Sequence, residues 1–284
     1  MIDIRPADGD SFAIALDWAA AEGWNPGLDD LAAFRAADPP GLLLGYADGR
    51  PVASISAVRY GDGYGFLGFY IVVPEARGNG HGLAVWNAAM ARFGSRVVGL
   101  DGVVAQQDNY RKSGFVLAGR NVRFSGPAER AAAPPAGIEV RPPADGDLPA
   151  VLAFDRAFFP ADRGAFTRAW TAPAAGTRRS CRLALRDGRL EGYGVVRACR
   201  AGHKIGPLFA ADPAVAEALF GALAATVAPG TEIILDVPEA NREAVALAER
   251  HGLAPSFETA RMYAGPAPEL PIARTFGITT FELG

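Results

Sequence analysis

Apolar and polar positions follow two rhythms along this chain. In "SFAIALDWAAAEGW" the apolar Phe12, Leu16 and Ala19 recur at helical spacing, with Asp10 where an N-cap would stand. The rhythm then shortens: "GLLLGYA", "RPVASISAVRY" after a D-G turn, and "YGFLGFYIVV" read as strands. Helical spacing returns with Leu83, Trp86, Met90 and Phe93, an amphipathic helix made to lie on a sheet. "RVVGLDG" reads as the next strand, "DNYRKSG" as a short helix and "AGRNVRFSG" as a last strand. Farther on, strands are expected around 180–199 and 204–210, then a helix over 213–228, strand "TEIILDVP", helix "NREAVALAERHG" and strand "FETARMYAG". Helices alternating with strands after hairpin-joined strands predict an α/β fold, a mixed sheet flanked by helices.

The pattern occurs twice. "IDIRPADGD" returns as "IEVRPPADGD", "LGFYIVVPEA" as "IGPLFAADPA", and "KSGFVLAGRNVRFSG" as "RHGLAPSFETARMYAG". Arg5 thereby matches Arg141, Gly49 matches Gly188, Pro74 matches Pro213 and Arg123 matches Arg261, in one order at a nearly constant offset. The chain reads as two copies of one domain, 1–126 and 138–284. They are joined by a Pro/Gly/Ala-rich linker at 127–137.

Composition narrows the function. A net charge of -3 with scattered arginines argues against a nucleic-acid surface. No apolar run is long enough to span a bilayer, and "MIDIRPADGD" lacks a leader's basic start and apolar core, so a cytoplasmic protein without membrane contact is expected. Cys181 and Cys199 read as reduced, packed thiols, and with only His81, His203 and His251 besides, no metal site is expected.

The chemistry points to "PEARGNGHG", Pro74 to Gly82, set between a strand and a helix. A nucleotide loop of the G-x-x-x-x-G-K-[ST] kind is excluded, because no Lys-Ser or Lys-Thr follows. A dinucleotide loop is excluded too, because Leu83 stands where its third glycine belongs. What remains is an R-G-x-G-x-G loop whose amides crowd the positive end of a helix dipole, a site suited to a diphosphate, with Arg77 able to add charge. A glycine turn with no ligand is the plainer alternative.

"VVPEARGNGHG" resembles the acetyl-CoA signature of the GNAT superfamily of acyl-CoA-dependent N-acetyltransferases. The resemblance extends over nearly the whole chain and implies two GNAT-like domains in tandem, each a mostly antiparallel mixed sheet flanked by helices. It implies that Arg77, Gly78, Asn79, Gly80, His81 and Gly82 cradle the pyrophosphate of coenzyme A, and that Val72 and Val73 pair with its pantetheine arm. The superfamily's second signature, a tyrosine four residues before a glycine-aromatic pair, is matched by Tyr110, Gly114 and Phe115. By that resemblance Tyr110 protonates the departing thiolate; a core-filling aromatic is the alternative. The superfamily's asparagine usually lies several residues earlier than Asn109. In the second copy Ala216, Glu217 and Leu219 replace Arg77, Gly78 and Gly80, and Ala248 replaces Tyr110, so that half is expected to be degenerate.

The implied reaction is attack of an amine on a thioester, which needs an oxyanion donor, an acid and a route for the amine's proton. An amide near Val73 is the expected donor, and Glu22, with Asp29 close by, the expected base. Trp24 and Tyr70 are expected to line the acceptor pocket. Each competes with a bland role, a solvated carboxylate or a core aromatic. Tyr193, Arg197, His203 and Lys204 gather on strands expected to face the interdomain cleft, though His203 and Lys204 read rather as turn residues in water. The expectation is transfer of acetyl from acetyl-CoA to a small-molecule amine, with no metal and no nucleic-acid partner; a homodimer stays open. The alternative, a non-catalytic acyl-CoA sensor or structural module, gives no reason for the retention of Tyr110.

Overall fold

The computed structural model describes residues 2–128, 135–172 and 176–284; positions 129–134 of the expected linker lie outside them. The first half runs β1 (Asp3–Pro6), α1 (Ala13–Ala21), α2 (Asp30–Ala37), β2 (Leu42–Ala47), β3 (Arg50–Tyr60), β4 (Tyr64–Val72), α3 (His81–Phe93), β5 (Val97–Val103), α4 (Gln107–Lys112) and β6 (Phe115–Pro127). The second runs β7 (Glu139–Arg141), α5 (Leu148–Asp155), α6 (Gly164–Thr171), β8 (Arg179–Arg186), β9 (Arg189–Ala198), β10 (His203–Ala210), α7 (Pro213–Ala224), β11 (Glu232–Pro238), α8 (Arg242–Arg250), β12 (Ala254–Ala264) and β13 (Thr275–Gly277).

The strands of both halves form one continuous mixed sheet in the order β1-β2-β3-β4-β5-β12-β6-β11-β10-β9-β8-β7, with β13 beside β10. The middle of that order is an exchange. β12, from the second half, lies antiparallel between β5 and β6, setting Arg261 opposite Asp101. β6, from the first, lies between β12 and β11, setting Arg123 opposite Asp236. Each of the matched arginines is therefore carried into the other half. Arg123 grips Asp236 through Nε and Nη2 at 2.7 and 3.0 Å, and Arg261 grips Asp101 through both Nε and Nη2.

Both faces of the sheet are covered. On one, α3 packs Val85, Ala89 and Phe93 against β2–β4 while α7 places Leu219 and Leu223 on the second half. On the other, the halves share a single core: Phe34 of α2 stacks on Trp170 of α6 at 6.1 Å, Phe12 meets Phe69 edge-on at 5.4 Å, and Tyr60 meets Phe159 at 4.7 Å. Helices α2 and α6, unassigned from sequence, join the halves by packing on each other, and α5, also unassigned, packs on α6 and β9. Asp212 and Asn241 cap α7 and α8 through Val215 and Ala244 N–H. Asp10 does not cap α1. Its backbone carbonyl accepts from Ala13 and its carboxylate faces Arg35 at 3.4 Å, because an extra turn at Ser11–Phe12 moves the helix start past it.

Candidate active site

Two neighbouring strands part company in the first half. β4 and β5 run parallel from Tyr64↔Val97 to Leu67↔Leu100 and pair no farther. The cause is local: between Ser56↔Gly68 and Ser54↔Ile71, β4 carries one residue more than β3, and Phe69 within that bulge has φ +47°. A bulge bends its strand, and here it turns β4 away from β5. A cleft of about 340 Å³ opens between them, walled by Phe69–Val72 on one side and Leu100–Val103 and Tyr110 on the other.

The glycine loop lies at the outer end. A short 3-10 turn at Pro74–Ala76 leads into it, and α3 begins at His81 with Gly80 as its cap. Gly78 and Gly80 take φ of +82° and +79°, where a side chain is strained. Ala84 N–H bonds back to Gly80, so the amides of His81, Gly82 and Leu83 have no helical acceptor and face outward at the positive end of α3. Gly82 lets the loop close on Tyr70, whose hydroxyl would stand 2.9 Å from a Cβ there. Asn79 Nδ2 donates to Ala76 O at 3.3 Å.

Two expected contacts are placed differently. Val73, expected with Val72 to pair with a pantetheine arm, donates its amide to Val52 O at 3.0 Å. By the alternation of an antiparallel ladder, Val72 is the residue whose backbone faces the cleft. Arg77 leans back over the mouth rather than over the loop, donating Nε to Val72 O at 2.9 Å and Nη2 to the Glu22 carboxylate. Glu22 is thus an ion-pair partner at the rim. Asn109 Nδ2 donates to Gln106 Oε1 at 2.7 Å.

Tyr110 stands inside the cleft. Its ring lies flat against Gly102, where a Cβ would come within 2.2 Å, and stacks on Trp86 at 5.6 Å. Burial pushes its phenol up to about 12, the nearby Tyr70 adding a little, so the hydroxyl holds its proton at neutral pH. Tyr70, half-buried, is raised by desolvation as well, and with Trp24 it lines the same cleft.

Behind Trp24 lies a buried ionic centre that composition did not reveal. Lys204 and Arg197 are each 2 % exposed, so Lys204 is not the turn residue in water that the sequence suggests. Lys204 Nζ reaches Trp24 O at 3.4 Å and Asp236 at 3.9 Å, while Arg197 pairs with Asp30 at 3.1 Å. Desolvation and the neighbouring Arg123 lower the Lys204 ammonium, whereas Arg123 and Lys204 hold Asp236 below the usual carboxylate range despite its burial. Tyr193 donates to the buried Asp155, which Arg163 also clasps, and His203 is partly buried. Cys181 and Cys199 are buried free thiols.

The second half has the same parting of strands with a different occupant. β10 and β11 pair from His203↔Ile233 to Ile205↔Leu235; beyond that, β13 enters. Gly277 and Thr275 pair with Leu208 and Phe209, and Ile278 N–H donates to Asp236 O at 2.9 Å. The chain's own strand fills the slot that stands open in the first half. Beyond β13 the last residues return to the first cleft, where Phe281 and Glu282 line its inner end beside Phe257 and Thr259. Sequence inspection missed all four of these residues, because no local pattern marks a segment that folds back across the domain pair. Among the described residues no group of three or more His, Cys, Asp or Glu could hold a metal, and no helix is long and apolar enough to cross a membrane.

Comparison with known proteins agrees with this architecture. Residues 11–115 match the family described as acetyltransferase (GNAT) family, and residues 151–277 match an acetyltransferase (GNAT) domain. A holothin acyltransferase from Pseudoalteromonas sp. is 34 % identical over 280 residues, covering 99 % of this chain and 94 % of that protein. Among solved structures, a Pyrococcus horikoshii protein described as an acetyltransferase superposes with a TM-score of 0.81 at 23 % identity, covering 100 % of this chain and 96 % of that one. A tandem GNAT protein from the clavulanic acid biosynthesis pathway gives 0.67 at 18 % identity, covering 94 % and 100 %.

Proposed function

From the premise that this chain belongs to the GNAT superfamily, as a tandem acyltransferase with a degenerate second half, we propose that it transfers the acetyl group of acetyl-CoA to the amine of a small molecule. The observation that carries the reading is the open slot between β4 and β5, with free helix-start amides at one end and a protonated buried tyrosine inside. GNAT enzymes use acyl-CoA as their donor. In this chain the amides of Gly78 to Leu83 receive a diphosphate, and the cleft-facing backbone of Val72 takes the pantetheine arm once Arg77 releases its carbonyl. The bulge at Phe69–Tyr70 lies inward of Val72, so the thioester carbonyl comes to rest beside its backbone. Tyr110 gives its proton to the leaving thiolate. A cleft of about 340 Å³ suits a small acceptor, and Trp24 and Tyr70 form part of its wall. The relative named for acylating holothin is in keeping with a discrete compound as acceptor.

Calorimetric titration with acetyl-CoA tests the reading, run beside Gly80→Asp. The substitution places a carboxylate and a strained φ at the phosphate cradle, so one site per chain is expected in the parent and none in the variant. No binding by the parent, or two sites, refutes the assignment.

A further inference from the structure

The inner end of the cleft holds two polar side chains with no hydrogen-bond partner among the described residues. Glu282 is 3 % exposed, and neither carboxylate oxygen has a hydrogen bond; Thr259 is 2 % exposed, and its Oγ1 has none either. Both line the cavity that contains Tyr110. Buried carboxylates without donors are rare because desolvation is not recovered, so an orphaned pair facing one cavity marks a place where a ligand supplies the missing bonds.

Glu282 is also held firmly. Its carbonyl accepts from Ser56 Oγ at 3.4 Å, the next carbonyl, of Leu283, accepts from Tyr60 OH at 3.1 Å, and Leu283 N–H donates to Thr280 Oγ1 at 2.9 Å. β4 makes room for this backbone with Gly68, where a Cβ would stand 2.2 Å from Glu282 O. Around the side chain lie Lys204 of β10, Arg197 of β9 and Arg123 of β6, opposed by Asp30 of α2 and Asp236 of β11. The cations stabilise a negative charge on Glu282 at a distance, but their own hydrogen bonds go to Asp30, Asp236 and backbone carbonyls. Burial outweighs their field and raises the carboxyl above its ordinary value, a suitable state for a group that must take up a proton and release it. Glu22, by contrast, is engaged by Arg77 at the rim.

Resting on the acyl transfer proposed above, we propose that Glu282 and Thr259 form the acceptor subsite, which takes a small primary amine on an apolar body packed between Phe257, Phe281 and Trp24, with Glu282 as the proton acceptor. The Glu282 carboxylate and Thr259 Oγ1 accept hydrogen bonds from the amine N–H groups. As the nitrogen lone pair forms the C–N bond, the N–H proton passes to Glu282. The C–S electron pair leaves with sulfur, which takes the Tyr110 proton. Glu282 then returns its proton through cleft water to the Tyr110 phenolate, so the products are an amide and a free thiol with no net proton change.

The test titrates acetyl-CoA, and then benzylamine against the CoA-loaded protein, into the full chain, Glu282→Gln and Thr259→Val, with benzylamine acetylation followed from pH 5 to 9. Unchanged acetyl-CoA affinity in all three is expected. Glu282→Gln should lower kcat/KM for benzylamine at least 100-fold and remove the limb of the pH profile set by the carboxyl, leaving only the rise that deprotonation of the benzylammonium itself imposes, and Thr259→Val should raise KM several-fold with little change in kcat. Folding is checked separately. A carboxyl whose folded value is raised is destabilising once ionised, so Glu282→Gln should melt no lower than the parent at pH 8. A parent that binds acetyl-CoA but takes up no benzylamine overturns the subsite, and so does a variant with parental rate and pH profile. Failure to bind acetyl-CoA refutes the underlying acyl transfer instead.

Discussion

Replacing Tyr110 with phenylalanine separates chemistry from packing. The ring is 7 % exposed, lies on Gly102 and stacks on Trp86 at 5.6 Å, and phenylalanine keeps all of those contacts. Among the described residues the hydroxyl makes no hydrogen bond, so its loss strands no partner there and the melting temperature should stay within about 2 °C of the parent, matching a change below about 1 kcal/mol. Catalysis should respond differently. A positioned general acid contributes roughly 10²- to 10⁴-fold, which is about 2.7 to 5.4 kcal/mol of barrier. Thiol release from acetyl-CoA, followed with a disulfide reagent under single turnover, should therefore slow by at least about 100-fold at unchanged acetyl-CoA affinity. With the phenol pushed up to about 12, the parent should lose no activity to Tyr110 ionisation between pH 7 and 10. A variant within threefold of parental rate would falsify the acid assignment. A parental rate climbing steadily toward pH 12 would show phenolate acting as a base.

Other outcomes follow from the packing. Gly68→Ala puts a methyl 2.2 Å from the Glu282 carbonyl, and since backbone rather than a flexible side chain is in the way, about 1–3 kcal/mol of stability should be lost in a denaturant melt. Acetyl transfer should fall with it, because the closing segment is displaced. Arg123→Met leaves Asp236 at 2 % exposure with only the weaker pull of Lys204, 3.9 Å away, and Arg197; removing one partner of such a pair costs about 3–5 kcal/mol. Calorimetry should then show a melting point lower by on the order of 10 °C, and no drop would mean the pair is dispensable.

Much of the architecture was legible because it is periodic or local. Trp86, Met90 and Phe93 mark α3 at helical spacing, although Leu83 of the same series turns out 64 % exposed, off the face that meets the sheet, and the D-G turn between β2 and β3 ends two strands at once. The loop glycines and Tyr110 stood out because their spacing along the chain follows the two signatures that carry the family resemblance. Val72 and Val73 were not told apart because the two sides of a strand look alike in sequence, and only the register with Val52 shows which amide is taken. Lys204 read as a solvated turn residue because burial of an ammonium depends on Asp236 and on the Trp24 carbonyl, both remote in sequence. Glu282 carried no signal at all. Its placement follows from the path of β13 through the second half, which no short window of residues contains.

The exchange of β6 and β12 sets how this protein can be made. The slot between β5 and β6 is filled only by a strand some 160 residues away in the sequence, as the Arg261–Asp101 pair measures. On a ribosome the first half waits with the far edge of β5 and both edges of β6 unpaired until the second half has emerged. Contacts so distant in sequence close slowly, so folding should be late, all at once and sensitive to crowding with neighbouring nascent chains. Neither half is an independent unit of expression. A split version should regain activity only when both fragments are produced together, each lending the other its strand.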